Sequence, residues 1–207
     1  MIIGYIKSLR LLYLPLLIIL GGFLLVGCNS DTTTSVNSEN LVRNDSWFKG
    51  GKEATVTIVE FSDFQCPACG SAEESNKKII DTYGDKIKFV YRHFPWPQHQ
   101  FGEKSAEAAE AAGEQGKFWE MHDLIFANQA NLSDDIFKKF AQDLGLDTQK
   151  FEDALKSGKF KERVSRDRQD GESVKVEATP TYFINGEKSV GVLSFEKFKE
   201  KIDAQIK

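Results

Sequence analysis

An apolar run of β-type residues, Ala54-Thr55-Val56-Thr57-Ile58-Val59-Glu60-Phe61, leads into the tetrapeptide Cys66-Pro67-Ala68-Cys69. Helical spacing then continues to about Tyr83, so the two thiols stand at the start of a helix that follows a buried strand. Cysteines three residues apart on a helical turn close a disulfide with little backbone movement, and the positive end of the helix favours the thiolate of the first. This stretch predicts a redox-active pair, Cys66 and Cys69.

The helix belongs to a strand–helix–strand unit. One stripe at helical spacing should face the core and carry the second thiol: Cys69, Ala72, Asn76, Ile79 or Ile80, and Tyr83. The alternating run Lys86–Arg92 predicts a second strand. Two strands joined through a helix are parallel, with a right-handed crossover.

The rest of the chain divides into a helical block and a closing strand–strand–helix unit. Helical patterns fill about 101–175, and Thr181–Ile184 then predicts a strand. Asn185-Gly186 is a hairpin signal before a short strand through Val190–Val192, and a final helix follows from Phe195. We therefore predict an α/β protein with a thioredoxin-like fold, whose helical insertion lies between a βαβ half and a ββα half.

The N-terminus is typical of an exported bacterial lipoprotein. Residues 1–27 have a basic start and a long apolar stretch, and Leu25-Val26-Gly27-Cys28 resembles the site where such proteins are lipidated on cysteine and cleaved before it. An uncleaved signal anchor with an incidental Cys28 is the alternative. We expect a signal peptide at 1–27, a flexible polar tether at 28–46 and one folded domain at 47–207.

Charge and cysteine usage narrow the function further. The formal net charge is −4, and removal of Lys7 and Arg10 with the leader brings it to −6. Basic residues are not clustered in the sequence, so we do not predict nucleic-acid binding. With Cys28 assigned to lipid, Cys66 and Cys69 remain as one pair in an oxidising compartment. A disulfide that closes so short a loop constrains the unfolded chain little, which favours redox chemistry over a structural role.

Four segments, in the same order, resemble DsbA-type thiol oxidoreductases of the thioredoxin-like superfamily, in a lipoprotein form. The segments are Glu60–Cys69, Tyr91–Pro95, Gln115–Trp119 and Ala178–Gly186. The resemblance covers about residues 47–207, and four ordered motifs make it far more specific than a lone pair of cysteines.

The resemblance also implies roles for individual residues. Cys66 would be the attacking thiolate and Cys69 the resolving thiol, with Pro67 and Ala68 completing the motif. Glu60 would be a buried acid beneath the disulfide that assists proton transfer. Pro180 would be the cis-proline that faces the disulfide, and Thr179 would offer backbone hydrogen bonds to a substrate peptide. Many oxidising members have histidine at the position of Ala68, so we expect a smaller thiolate stabilisation here.

Zinc is the main alternative for the two cysteines. A structural zinc needs four ligands, and His93, His99 and His122 show no close metal spacing. We therefore predict no metal, and no cofactor besides the Cys66–Cys69 disulfide. His93 is expected to be structural, and Trp119 and His122 to lie in the core of the insertion.

The predicted function is an extracytoplasmic, lipid-anchored oxidoreductase that introduces disulfides into thiol-containing exported proteins. The family resemblance implies reoxidation by a quinone-linked membrane thiol oxidase. A membrane-anchored reductase of the same fold and a peptide-binding chaperone remain as alternatives. The tether is too short and polar to be a dimerisation region, so we expect a monomer.

Lipid attachment should depend on Cys28. We expect Cys28→Ser to leave the precursor unlipidated and unprocessed, because the thiol is the atom that lipidation modifies. Mass spectrometry of the membrane fraction checks this, with Cys66→Ser as a control that should be processed normally. An unmodified N-terminus in the wild-type mature chain would contradict the expectation.

Overall fold

The computed structural model describes residues 41–206. The expected signal peptide, Cys28 and the tether as far as residue 40 lie outside the described residues. Within them, a five-stranded sheet has the order β1-β3-β2-β4-β5. The strands are β1 (Trp47–Gly50), β2 (Val56–Ser62), β3 (Ile87–His93), β4 (Thr181–Ile184) and β5 (Glu187–Val190).

The helices follow the predicted order. They are α1 (Pro67–Tyr83), α2 (Gly102–Gly113), α3 (Phe118–Ala127), α4 (Asp134–Asp143), α5 (Thr148–Ser157), α6 (Lys161–Ser173) and α7 (Phe195–Asp203). Helix α1 joins β2 to β3, which are parallel, while every other strand pair is antiparallel. Helices α2 to α6 form the insertion between the two halves, so the predicted thioredoxin-like α/β fold is confirmed.

Strand β2 is the centre of the sheet, and its two faces are both covered. Six of its seven residues are buried, as expected for a strand with helices on both sides. On one face, Ile58 packs in a cluster with residues of α1 and α7 such as Ile79 and Phe198. On the other face, Phe61 meets the edges of the Phe94 and Phe183 rings.

The folded region begins earlier than the sequence predicts. Leu41 is buried, and its carbonyl accepts a hydrogen bond from the buried Arg92. The Arg43 guanidinium pairs with Asp170 of α6, with Nε 2.7 Å from Oδ2. Residues 41–46, which we assigned to the tether, therefore pack against the domain.

Two sheet edges also differ from the prediction. Strand β1 was not predicted, because its four residues are too few to show alternation, and it pairs with β3 at the sheet edge. Strand β5 comprises Glu187–Val190, just after the Asn185-Gly186 turn, and not the expected Val190–Val192. The side chains of Val190 and Val192 are exposed, so their apolar character does not indicate a core strand here.

Close packing of α6 on the sheet gives a stability prediction. A Cβ on Gly171 would lie 2.6 Å from the Phe94 ring and 3.0 Å from the Phe61 ring. Overpacking of this kind costs about 1–3 kcal/mol, against about 1 kcal/mol gained from better helix propensity. We expect Gly171→Ala to lower the free energy of unfolding in urea, while Ser165→Ala on the exposed face of α6 changes it little. An increase for Gly171→Ala would show that α6 packs more loosely.

Candidate active site

Cys66 lies at the N-cap of α1, where the chain turns from an extended conformation into the helix. Its backbone has φ −75° and ψ 120°. Pro67 follows at the first helical position, where a backbone N–H would have no acceptor within the helix, so its absence loses no hydrogen bond. The Cys66 carbonyl accepts the first helical bond, from the Gly70 N–H at 3.1 Å. Its Sγ lies 3.5 Å from the carbonyl oxygen of Thr179. Cys66 is partly exposed, so a substrate thiol can reach it.

Cys69 lies one turn further along α1 and is fully buried. It is the first residue of the predicted core stripe, and the buried residues of α1 are Cys69, Ala72, Asn76 and Ile79. Its Sγ accepts a hydrogen bond from the Asp63 N–H at 3.5 Å. Both cysteines are free thiols.

The two thiols differ in acidity. A hydrogen bond from the Cys69 thiol, together with bonds from the Thr179 side chain and the Cys69 and Ala68 N–H groups, lowers the pKa of the Cys66 thiol to about 5 despite partial burial. Burial, the hydrogen bond to Cys66 and the charge of Glu60 raise the pKa of the Cys69 thiol. Cys66 is thus a thiolate at neutral pH and Cys69 a thiol, which is the arrangement that nucleophilic thiol exchange requires.

Glu60 lies in the middle of β2, between Tyr91 of β3 and Tyr182 of β4. Its carboxyl is fully buried and accepts hydrogen bonds from Asn76 Nδ2 at 3.2 Å and from the Tyr182 hydroxyl at 3.4 Å. Burial, and then the charge of Glu73, raise the pKa of Glu60 well above its ordinary value. A carboxyl of this kind can hold a proton near neutral pH and pass it on.

Thr179 and Pro180 precede β4 and are joined by a cis peptide bond. The Thr179 hydroxyl accepts a hydrogen bond from the Trp96 indole at 2.9 Å. The structure therefore brings Cys66, Cys69, Thr179 and Glu60 of the predicted set together around the start of α1. Pro67 is exposed and Ala68 is half-buried.

Asp63 organises this region, and the sequence analysis gave it no role. Its carboxylate accepts hydrogen bonds from the Gln65 N–H at 2.8 Å and the Trp96 N–H at 2.7 Å. His99 Nδ1 lies 2.6 Å from the same carboxylate. Asp63 thus joins the loop before Cys66 to the loop after β3. The bond to Gln65, two residues on, is an Asx-turn, a signal readable from sequence.

Gln129 and His93 complete the surroundings. Gln129 Nε2 donates to the carbonyls of Phe64 and Cys66, at 2.8 and 3.0 Å, and so ties the insertion to the cysteine loop. His93 is buried, with Nε2 2.9 Å from Glu110 Oε1. That pairing agrees with the structural role expected for His93.

One group among the described residues has the spacing of a metal site. Glu73, His122 and Asp123 have ligand atoms within 4.8 Å of one another, and neither cysteine belongs to the group.

No helix in the described part of the chain is long and apolar enough to cross a bilayer.

Comparison with known proteins places the chain in a family. The thioredoxin family model Thioredoxin_4 matches residues 43–204. The Na⁺/H⁺ antiporter NhaA 3 of Salinispora tropica is 39% identical over 149 residues, 72% of this chain and 23% of the antiporter. NhaA 1 of Mycobacterium sp. strain KMS is 35% identical over 146 residues, 69% of this chain and 24% of that protein. The chain thus spans about a quarter of the length of these curated relatives.

Solved structures share the fold. The thiol-disulfide exchange protein alpha-DsbA2 of Wolbachia pipientis has a TM-score of 0.72 and 22% identity, covering 81% of this chain and 91% of its own. Oxidised BdbD of Bacillus subtilis has a TM-score of 0.69 and 22% identity, and the match covers 77% of this chain and 91% of BdbD. DsbA2 of Pseudomonas aeruginosa has a TM-score of 0.62 and 25% identity, and the match covers 76% of this chain and 92% of DsbA2. The chain therefore belongs to the thioredoxin family, in the DsbA-like form of that fold.

Proposed function

We propose that this chain is an extracytoplasmic, lipid-anchored thiol-disulfide oxidoreductase that gives disulfides to exported proteins. The proposal is carried by the opposite pKa shifts of two thiols that lie three residues apart. The pKa of Cys66 is lowered to about 5, and the pKa of Cys69 is raised. An enzyme whose reduced form is stabilised by such a thiolate is an oxidant. We do not propose ion transport for this chain, because it spans only about a quarter of the length of the antiporters that it resembles.

The reaction would run through a mixed disulfide at Cys66. A client thiolate attacks Cys66 Sγ, the Cys66–Cys69 bond breaks, and Cys69 leaves as a thiolate that takes up a proton. A second client thiol loses its proton and attacks the client sulfur of the mixed disulfide, and Cys66 leaves as a stable thiolate. The client gains a disulfide and the enzyme is left reduced. A quinone-linked membrane thiol oxidase would then accept its two electrons.

Neighbouring residues have defined roles in this proposal. Glu60 supplies the proton that Cys69 takes up. Thr179, whose carbonyl oxygen lies 3.5 Å from Cys66 Sγ, offers backbone hydrogen bonds to the client. Pro180, joined to Thr179 by a cis peptide bond, would present this segment to the client. Asp63 and Gln129 hold the Cys66 loop in place.

The reduction potential tests the direction of the reaction. We expect a value above that of thioredoxin, about −270 mV, and in the range of about −200 to −120 mV. A glutathione redox titration of the mature chain measures it, with Cys69→Ser as a control that cannot form the internal disulfide. A potential below that of thioredoxin would contradict the oxidase and support the reductase. Chaperone activity that survives Cys66→Ser would support a peptide-binding role instead.

The acidity of Cys66 can be measured directly. We expect thiolate absorbance of the reduced protein to titrate at pH about 5, and this transition to be absent from Cys66→Ser. Thr179→Val removes a hydrogen bond to the thiolate and should move the transition to higher pH. Reduction takes up two protons below this pH and one above it, so the slope of potential against pH should halve there. A midpoint near the ordinary thiol value of about 8.5 would contradict the assignment.

Glu60→Gln should slow exchange without loss of the fold. Glutamine keeps hydrogen-bonding groups for Asn76 and Tyr182 but cannot carry the proton, so the step that involves Cys69 should slow by about a hundredfold. Because the pKa of Glu60 is raised, its carboxyl destabilises the fold as pH rises above the ordinary carboxyl range. The variant should therefore be more stable than wild type at neutral pH and gain little near pH 4. Urea unfolding and exchange rates across pH check both parts, and unchanged rates would contradict the catalytic role.

A further inference from the structure

Trp96 lies in the loop after β3 and contacts the segment that faces Cys66. Its indole Nε1–H donates to the Thr179 hydroxyl oxygen at 2.9 Å. Thr179 is buried, and its carbonyl oxygen lies 3.5 Å from Cys66 Sγ. A single side chain therefore separates Trp96 from the reactive sulfur, and Trp96 has no role in the reaction described above.

The direction of this hydrogen bond follows from the chemistry of the two groups. An indole N–H can only donate, whereas a hydroxyl has one proton to donate and two positions that accept. Thr179 Oγ1 must therefore be the acceptor. Its own proton is still available for a second hydrogen bond.

The Cys66 sulfur is in a position to accept that proton. The pKa of the Cys66 thiol is lowered first by a hydrogen bond from the Cys69 thiol and then by one from the Thr179 side chain. While Cys66 is protonated, its Sγ–H can donate to the Thr179 carbonyl. A thiolate can only accept, so the hydroxyl is then the group of Thr179 that stabilises the charge.

Trp96 is itself held in one orientation. Its backbone N–H donates to Asp63 Oδ2 at 2.7 Å, and its ring meets the Phe94 ring edge-on, with the centroids 5.1 Å apart. The Asp63 carboxylate also accepts from the Gln65 N–H, one residue before Cys66. The indole is thus supported by the same carboxylate that holds the cysteine loop, which fixes its position relative to the reactive sulfur.

We propose that Trp96 is a positioning residue that, by donating to the Thr179 hydroxyl oxygen, directs the proton of this hydroxyl to the Cys66 sulfur. The inference rests on the function proposed above, because it concerns the thiolate that makes the enzyme an oxidant. A hydroxyl that accepts one hydrogen bond also donates more strongly, since the two bonds polarise each other. Trp96 acts through Thr179 and takes no part in the exchange of sulfur atoms.

Ionisable groups face Trp96 from its own loop and from two helices. Trp96 lines a surface cavity of about 370 Å³. Four ionisable side chains line the same cavity: His99 of the loop, Glu103 of α2, and Lys161 and Arg168 of α6. Histidine is the side chain among these that ordinarily changes its charge near neutral pH, so the test must separate His99 from Cys66.

A thiolate titration of the reduced mature protein tests the proposal. Trp96→Phe keeps an aromatic ring beside Phe94 and removes the Nε1–H. We expect it to raise the midpoint of the Cys66 thiolate by about half a pH unit, which moves the equilibrium with glutathione about threefold towards the disulfide. Trp119→Phe removes an indole from α3 and should change neither value.

Double variants show whether Trp96 acts through Thr179. Thr179→Val removes the hydroxyl, so adding Trp96→Phe to it should raise the midpoint no further. Thr179→Ser keeps the hydroxyl, and there Trp96→Phe should again raise the midpoint. A shift that came only from the smaller ring or from a looser loop would appear in both backgrounds.

An NMR titration of the unsubstituted protein gives a second measurement. The chain has three tryptophans, so the indole N–H signals are few. We expect the Trp96 signal to shift at the same pH as the Cys66 thiolate absorbance, because the Thr179 hydroxyl transmits the charge of the sulfur. In Cys66→Ser this transition should be absent, whereas a transition caused by His99 would persist.

Three results would overturn the proposal: an unchanged midpoint in folded Trp96→Phe, an equal shift in the Thr179→Val background, or a Trp96 signal that does not follow Cys66. The proposed function fails separately, because a wild-type midpoint near the ordinary thiol value of about 8.5 would contradict it. A wild-type midpoint of about 5 that Trp96→Phe does not move would reject this inference alone.

Discussion

Strand β2 is hydrogen-bonded along both edges, to β3 and to β4, and the site depends on that constraint. Register on both sides fixes which side chains point to each face, and a slip of one residue would turn Glu60 to the opposite face. The same pairing sets Phe61 opposite Thr181, two residues after Thr179. The chain that leaves β2 therefore reaches Cys66 beside the Thr179-Pro180 segment. One strand thus positions both the buried acid and the reactive thiol.

The loop that carries Cys66 is held by side chains from distant parts of the chain. Asp63 binds the loop after β3 through the Trp96 N–H and His99, and Gln129 of the insertion binds two loop carbonyls. Trp96 in turn reaches Thr179. Hydrogen bonds to a charged group contribute about 1.5–3 kcal/mol each. The insertion is therefore part of the site, since it fixes the loop through Gln129.

Much of the fold could be predicted from the sequence because the signals are local. Hydrophobic spacing indicated β2, α1, β3, the insertion and α7, and the stripe through Cys69 and Asn76 proved to be buried. Edge strand β1 and the docking of residues 41–46 could not be predicted, because both depend on long-range partners. Leu41 is buried because it packs with residues from distant parts of the chain such as Val90 and Val176, and Arg92 donates a hydrogen bond to its carbonyl. Spacing likewise indicated Cys66 and Cys69. The hydrogen bonds of Gln129 to the Phe64 and Cys66 carbonyls could not be predicted, because they depend on how the segment after α3 packs against the start of α1.

The contrast between the two thiols requires proton movement inside the protein. Cys66 at the helix end is surrounded by donors, and Ala68 contributes only its backbone N–H, so the thiolate there is stabilised by the Cys69 thiol, then by the Thr179 side chain and the backbone. Cys69, one turn inward, has little to stabilise its charge and keeps its proton. Each opening or closing of the disulfide must therefore deliver a proton to a sulfur that water does not reach, or remove it. In the proposed reaction a carboxyl in the adjacent strand, whose pKa burial raises, would meet that need, and such a role would account for a costly buried acid in the middle of an apolar sheet.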